Sequence, residues 1–301
     1  MRPRRRSTPY LLVAPALGLF TFTVLGPIGA TAVFSFFDWN GFGPLEAVGI
    51  ANYVRAATDP IFRSSFTHVA IYIALTIVLE VFVGLLLAGM VTGRPRGTAF
   101  FRVAFFIPVM LPMVVVAVLW SFVYNPDFGL LNSALDNVGL GSFTNVWLGD
   151  TRTALMAVSV VSGWVFAGFY MAIFYAGFKQ IPTDVIEAAR IDGATEIQTF
   201  WRVKVPMIRH VIEVALLLCI TGGFQSFDLF YVLTNGGPYN ATEIPTTYLV
   251  KVVFRNQDVG YGSALAMVMS LVVLAVGAIY VRVRRRRLGL AGGDSGQAAM
   301  A

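Results

Sequence analysis

Long apolar runs constrain this sequence more than any other feature. A helix needs about 20 consecutive apolar residues to cross the hydrocarbon core of a bilayer. Charged residues make up only 13% of the chain, whereas a soluble domain contains about 25%. The sequence therefore predicts an all-α, polytopic membrane protein with six transmembrane helices, over residues 9–36, 67–92, 99–124, 154–178, 207–233 and 262–281.

The first apolar run follows the basic stretch "RPRRR", as the apolar part of a signal peptide does. The run is too long for a signal peptide, however, and no small-residue cleavage site follows it. We therefore expect a retained helix over 9–36, preceded by a basic N-terminal segment over 1–8. The single cysteine, Cys219, lies inside the fifth run, which excludes an intrachain disulfide.

Most Lys and Arg residues lie on one side of the predicted membrane. Seventeen of the 22 fall in or beside the N-terminal segment, the loop between the second and third runs, the loop over 179–206 and the C-terminal segment over 283–301. Because cytoplasmic loops carry such an excess, both termini and the 179–206 loop are predicted to be cytoplasmic, the C-terminal segment as a flexible tail. The net charge of +6 thus indicates orientation and contact with membrane lipid, not nucleic-acid binding.

The 179–206 loop predicts a short helix followed by a turn. Thr183 or Asp184 follows a proline and is a natural N-cap. Gly193 suits the left-handed backbone position that ends many helices. The first helix is therefore expected to run between these two signals, with Ala188 and Ala189 on a closely packable face.

A second short helix is expected before the fifth apolar run. Thr195 and Gln198 have the spacing of a capping box, and Pro206 marks the boundary with the run. One interpretation of the loop is an amphipathic connector on the lipid headgroups. Acidic residues on the first helix oppose it, because they are poor partners for an anionic leaflet; a small-faced helix with one glutamate suits a groove on another protein.

The spacing within this loop matches a known motif. Glu187-Ala188-Ala189 is followed after three residues by Gly193, and nine residues later by "VKVP" at 203–206. This pattern resembles the EAA loop of binding-protein-dependent ABC importer permeases, with valine replacing isoleucine and leucine. The segments "RGTAFFRVAFFIPVMLP" (96–112) and "FDLFYVLTNGGPYNAT" (227–242) resemble the carbohydrate-uptake branch of that family, the maltose and glycerol-3-phosphate type.

The resemblance implies a type I ABC importer transmembrane fold in the bacterial inner membrane, with a five-helix core over 66–282. The chain would form half of a translocation pathway for a sugar or sugar-like solute. In the family, the EAA loop forms coupling helices that dock on a cytoplasmic ATPase. That role is implied here for Glu187, Ala188, Ala189, Asp192, Gly193 and Pro206.

The same resemblance implies several partner chains. They are a second, homologous permease, two copies of the ATPase and an extracytoplasmic solute-binding protein. The chain has no G-x-x-x-x-G-K-[ST] phosphate loop. We therefore expect a transport subunit that is not an enzyme and holds no cofactor, with ATP and Mg²⁺ on the partner ATPase.

Polar residues inside the apolar runs are candidates for the solute pathway. Thr221, Gln225 and Asp228 fall on one face of the fifth run at helical spacing. The same residue types also join helices inside membranes, so a purely structural role stays open. Trp164 in the fourth run is a candidate for stacking on a sugar ring. Pro108 and Pro112 are expected to kink the third run.

An ion-coupled secondary transporter is the alternative function. Glu80, Glu213 and Asp228 are ionisable groups within apolar runs, where such groups often serve transport. The sequence does not assign roles to Glu80 and Glu213. A membrane enzyme is not favoured, because His68 and His210 lack metal-ligand spacing and no catalytic arrangement or metal site occurs.

The charge asymmetry predicts a topology that labelling can check. With Cys219 replaced by serine, cysteines introduced at Ser7, Gln198 and Ser295 should resist an impermeant maleimide in intact cells, because these positions are cytoplasmic. Cysteines at Asn137 and Asn256 should react. Labelling from outside at position 198 would overturn the six-helix topology.

Overall fold

The computed structural model describes residues 8–92 and 97–293, with side chains described over 13–92 and 97–282. The N-terminal arginines, Arg94, Arg96, the side chains of arginines 284–287 and residues 294–301 lie outside this part. The described chain is predominantly helical, and its one sheet is a two-stranded antiparallel pair. The all-α prediction is confirmed in this coarse form.

The described residues form thirteen helices, several of which include a π-helical or 3-10 stretch. In chain order the elements are α1 (Thr8–Phe20, Thr21–Leu25 and Gly26–Phe34), β1 (Phe37–Asp38), β2 (Glu46–Ala47), α2 (Ala51–Thr58), α3 (Pro60–Thr76, Ile77–Phe82 and Val83–Thr92), α4 (Thr98–Phe106 and Ile107–Met110), α5 (Met113–Val123), α6 (Leu130–Asn137), a 3-10 turn (Gly141–Phe143), α7 (Ala154–Phe178), α8 (Thr183–Ile191), α9 (Glu196–Thr199, Phe200–Lys204 and Val205–Met207), α10 (Arg209–Gln225), α11 (Asp228–Leu233), α12 (Pro245–Val250 and Lys251–Arg255) and α13 (Val259–Gly293).

Four of the described helices are long and apolar enough to cross a membrane. They are Val13–Phe34, Pro60–Thr92, Ala154–Phe178 and Val259–Arg282. The pair α4 and α5 makes a fifth if it is counted as one span, although the two helices are bent by 97°. The bend lies between Pro108 and Pro112, so the kink predicted for the third run is confirmed.

The fifth predicted run, 207–233, is not one long helix. Ser226, with ψ 133°, is extended and separates α10 from α11. By length and composition, the described chain therefore supplies four or five spans, fewer than the predicted six.

The last helix extends further than its apolar run. It continues to Gly293, into the segment 283–301 that was expected to be flexible. Arginine and leucine are good helix formers, so the helix does not have to end where the apolar residues end.

The described chain divides into two compact units, each with its own contacts. The first takes in the described residues up to Arg63 together with Leu249–Leu274. Within it, Arg55 forms an ion pair with Asp258 at 2.7 Å. The guanidinium carbon of Arg55, Cζ, lies 3.8 Å from the centre of the Tyr261 ring. These contacts fasten α2 to the start of α13.

The second unit, Ser64–Tyr248 with the described residues from Ala275, contains the close packing of α3 on α7. A Cβ atom on Gly84 would lie 2.7 Å from Tyr170 Cβ and 2.9 Å from the Ala167 carbonyl oxygen. A Cβ atom on Gly163 would lie 2.7 Å from Leu79 Cβ. Glycines at such positions let membrane helices approach until their backbones touch.

We expect Gly84→Ala to destabilise the protein by about 1–3 kcal/mol, because its methyl group forces α3 away from α7. Gly277→Ala in α13 is the matched control, since no atom lies within 4 Å of the added methyl group. The measurement is the thermal midpoint of each purified variant in detergent. Equal midpoints for the two variants would contradict the close packing.

Candidate functional site

The loop between α7 and α10 is folded into two helices joined by a fixed turn. Gly193 has φ +80°. Its amide donates to the Arg190 carbonyl, and the Ala194 amide donates to the Ala189 carbonyl, both at 3.0 Å. This pair of bonds is the Schellman arrangement that ends helices at a glycine. The predicted helix end at Gly193 is confirmed.

The start of the second loop helix is also as predicted. Thr195 Oγ1 accepts from the Gln198 amide at 3.3 Å, and Gln198 Oε1 accepts from the Thr195 amide at 2.8 Å. These reciprocal bonds form the capping box. They follow the Gly193 turn directly, so both helix ends at the corner are fixed by local bonds.

Two boundary predictions for this loop are wrong. Pro182, not Thr183 or Asp184, precedes the first turn of α8, and no side chain caps it. Proline's fixed φ favours the start of a helix without such a bond. Pro206 lies inside α9, which continues to Met207, and Ile208 separates α9 from α10.

Helix α8 exposes the residues that the sequence singled out. Glu187, Ala188 and Asp192 are exposed, and Ala189 is half-buried. Glu187 makes no hydrogen bond or ion pair with any other described residue. By contrast, Arg190 forms an ion pair with Glu196 at 2.8 Å across the corner. The loop therefore presents a carboxylate and small side chains on a helix whose end is fixed.

A second feature lies among α3, α7 and α10, around the buried side chain of Glu80. Ser162 of α7 donates to Glu80 Oε1 at 2.7 Å. Since its only proton is used there, Ser162 must accept from the Tyr72 hydroxyl, 2.8 Å away. Cys219 of α10 lies with its sulfur 3.9 Å from Glu80 Oε2. One carboxylate thus joins three helices.

A cavity of about 420 Å³ adjoins this network. Thr221, Gln225 and Asp228 all line it, together with Glu80. The structure therefore brings the three residues of the predicted polar stripe to one cavity. The side chains of Gln225 and Asp228 make no hydrogen bond with other described residues, so both remain able to bind a solute or water.

The cavity has a distinct chemical character. Its described lining contains two carboxylates, several hydroxyl groups and one amide, but no Lys, Arg or His. Such a lining accepts hydrogen bonds from hydroxyl groups, and it offers no positive charge to an anion. It suits a solute that is rich in donors.

The remaining candidates lie elsewhere. Trp164 does not line the cavity; its ring meets that of Trp120 edge to face, with centroids 5.7 Å apart. Glu213 forms an ion pair with Arg209 at 3.0 Å. Its carbonyl oxygen accepts from the Tyr280 hydroxyl. Glu213 is thus held by its own helix and by α13.

The hydrogen-bond partners of Glu80 have no signal in the sequence. A buried carboxylate in an apolar helix signals that hydrogen-bond donors lie nearby. It does not tell which hydroxyl in which helix supplies them, because that depends on how the helices are rotated against each other. Ser162 and Tyr72 are therefore found from the structure alone.

Comparison with known proteins decides the family. Residues 80–289 match the family described as "Binding-protein-dependent transport system inner membrane component". The chain belongs to this family. It is thus a transport component of the inner membrane and not an enzyme, and family membership does not favour the ion-coupled alternative.

Two curated relatives extend over most of the chain. The probable ABC transporter permease protein YurN of Bacillus subtilis (strain 168) is 39% identical, covering 89% of this chain and 92% of its own. The diacetylchitobiose uptake system permease protein NgcF of Streptomyces coelicolor is 34% identical, covering 98% of this chain and 88% of its own.

A solved structure agrees in fold. It is a chain of a bacterial ABC transporter involved in the import of the acidic polysaccharide alginate, with a TM-score of 0.83 at 20% sequence identity. The match covers 94% of this chain and 96% of that chain. At this identity the likeness concerns the fold alone.

The cavity generates a prediction for the polar stripe. Gln225→Leu and Thr221→Val should each lower solute uptake about fivefold, because each removes a group able to hydrogen-bond solute or water in the cavity. The measurement is uptake by the reconstituted complex, with subunit retention determined in parallel.

Thr23→Val is the matched control for the threonine change. Thr23 also donates to a carbonyl of its own helix, at 2.8 Å, and does not line the cavity. Uptake that stays at the wild-type rate in both Gln225→Leu and Thr221→Val would assign the stripe to helix packing instead.

Proposed function

We propose that this chain is the permease subunit of an ATP-driven ABC importer and forms half of the pathway for a sugar or sugar-like solute. An external binding protein delivers that solute. The observation that carries the proposal is α8: an exposed helix with a free Glu187 carboxylate and an end fixed at Gly193. A free, rigidly held helix of this kind suits docking on a partner chain.

The complete assembly contains further chains. A second permease supplies the other half of the pathway, two copies of an ATPase bind ATP and Mg²⁺, and both termini lie in the cytoplasm. One solved relative of the same fold is a transporter in complex with an alginate pentasaccharide-bound periplasmic protein. That complex supports a binding protein as the partner on the outer side.

The six-helix topology follows from the same proposal. Helices α10 and α11 together make the fifth span, interrupted at Ser226, and the bent pair α4 and α5 makes the third. Interrupted backbone at membrane depth is tolerated where it is buried in protein or lines a water-filled cavity. Ser226 lines the cavity beside Gln225, which meets that condition.

A sugar is the solute class that fits the cavity. Sugar hydroxyl groups donate hydrogen bonds, and Glu80, Asp228 and Gln225 supply acceptors. The names of relatives point the same way: NgcF is a diacetylchitobiose permease, and AmyD of Thermoanaerobacterium thermosulfurigenes is a probable permease for starch degradation products. The particular sugar depends on the binding protein as well.

Coupling between ATPase and cavity has a physical route. Ile186 of α8 and Phe200 of α9 pack against a buried apolar cluster that includes Phe178, and the same cluster includes Tyr170 and Cys219. Tyr170 and Cys219 also line the cavity. Movement of α8 by the ATPase would thus act through this cluster on side chains that line the pathway.

Glu187→Ala and Gly193→Val test the coupling loop. Glu187→Ala removes the carboxylate that would meet a basic group on the ATPase, and one-sided loss of such a pair costs at least about tenfold in binding or rate. Gly193→Val places a β-branched residue at φ +80° and opposes the turn. We expect both to lower binding-protein-stimulated ATP hydrolysis and uptake, and Gly193→Val to weaken ATPase retention.

Matched controls make this test specific. Glu46→Ala removes an exposed acid from the β2 strand, and Gly193→Asn keeps a residue that tolerates the left-handed backbone. Both should retain most of the stimulated activity. Full stimulated activity and full ATPase retention in Glu187→Ala and Gly193→Val together would show that α8 is not the coupling element.

A further inference from the structure

A groove separate from the cavity lies where the loop helices meet the ends of α3 and α7. Its volume is about 980 Å³, at the upper end of pockets that hold a ligand. The last two turns of α3, the Lys179 end of α7, and both α8 and α9 line it. Because two spanning helices end here, the groove lies at the level where membrane meets water. We call it the interfacial groove.

Lys204 is the unusual member of the lining. The residue as a whole is only 8% exposed, and its side chain makes no hydrogen bond or ion pair within the described part of the chain. Arg190, which also lines the groove, is paired with Glu196 at 2.8 Å. The ammonium group is the accessible tip of a side chain whose stem is buried, so it can bind an anion within the groove. Lys204 therefore points to a negatively charged ligand.

The other charges of the groove are few. Lys179 supplies a second ammonium group, 5.6 Å from the centre of the Tyr175 ring. Glu187 is the one carboxylate of the lining besides the paired Glu196. With the Arg190–Glu196 pair internally neutralised, two lysines face one carboxylate, so the groove is net positive.

Large apolar side chains stand beside these lysines and are exposed. Met90 is 61%, Ile197 73% and Trp201 42% exposed. Trp201 is held in place by stacking on Phe82 of α3, with ring centroids 6.3 Å apart. A ligand that covers these side chains and also reaches Lys204 must have an apolar part and an anionic part.

We propose that the interfacial groove binds an anionic phospholipid. Its phosphate lies at Lys204 and Lys179, and an acyl chain lies along Met90, Ile197 and Trp201. Basic pockets between membrane helices are a recurrent site for anionic headgroups. A lipid there would touch both α8 and α9, so the lipid composition of the membrane would influence the position of the loop. The proposal does not depend on which solute is carried.

Quenching of tryptophan fluorescence by brominated lipid tests this site. The permease is reconstituted with its partner subunits in bilayers that contain dibrominated phosphatidylglycerol or dibrominated phosphatidylcholine at equal mole fractions. The Trp201 signal is the difference between the wild-type chain and Trp201→Phe, which removes one of the five tryptophans. The anionic lipid should associate at Trp201 about fivefold more strongly than the neutral lipid, as expected for one net positive charge, since Glu187 offsets one of the two lysines.

Two variants on the same helix assign the preference to Lys204. Lys204→Gln should reduce the preference to about one. Arg202→Gln is the matched control, because Arg202 is exposed and does not line the groove, and it should keep the preference. Inorganic phosphate at millimolar concentration should not displace the lipid, since phosphate alone lacks the acyl contacts.

Several outcomes would overturn the proposal. One is equal quenching of the Trp201 signal by the two lipids, a comparison that needs only the Trp201→Phe reference to fold. Another is a preference that survives Lys204→Gln or is lost equally in Arg202→Gln. Displacement by phosphate would indicate a free anion instead of a lipid. Absence of quenching by either lipid would mean that a protein chain covers the groove.

Discussion

The close contact between α3 and α7 is the interaction on which the second unit depends. Apolar side chains give little drive for association in lipid, because the acyl chains are equally apolar. Association then relies on packing and on hydrogen bonds between helices. Gly84 and Gly163 permit that approach, and it places Ser162 where its hydroxyl can donate to Glu80 at 2.7 Å. The two glycines and the Glu80 carboxylate therefore stabilise the same contact between α3 and α7.

The bond between Ser162 and Glu80 in turn fixes the boundary of the cavity. Ser226, Tyr72 and Ser162 form a run of hydroxyl groups that ends on the Glu80 carboxylate. Each hydroxyl donates toward the carboxylate, which strengthens the bonds along the run. Ser226 belongs to the break between α10 and α11. The interruption in the fifth run is thus held against α3 by polar contacts. Irregular backbone at membrane depth has to be buried in protein or line a cavity in this way.

Features set by neighbours in sequence could be predicted, and features set by helix rotation could not. The Gly193 turn and the Thr195 capping box depend on residues within one or two turns, so residue type alone indicated them. The shared face of Thr221 and Gln225 follows from helical spacing. The partners of Glu80 depend instead on how α3, α7 and α10 are rotated in the bundle. The extended Ser226 has no signal of its own, since neither proline nor glycine occurs there.

The bend between α4 and α5 also depends on contacts with α7 and with the cavity. Proline cannot donate a backbone hydrogen bond, so neither Pro108 nor Pro112 can satisfy the carbonyl group four residues before it. Such groups need protein or a cavity beside them at membrane depth. Gly168 of α7 lets the Phe105 carbonyl pack directly against it, and Met113, just after the bend, lines the cavity. The broken helix is therefore supported on one side by α7 and opens on the other toward the proposed pathway.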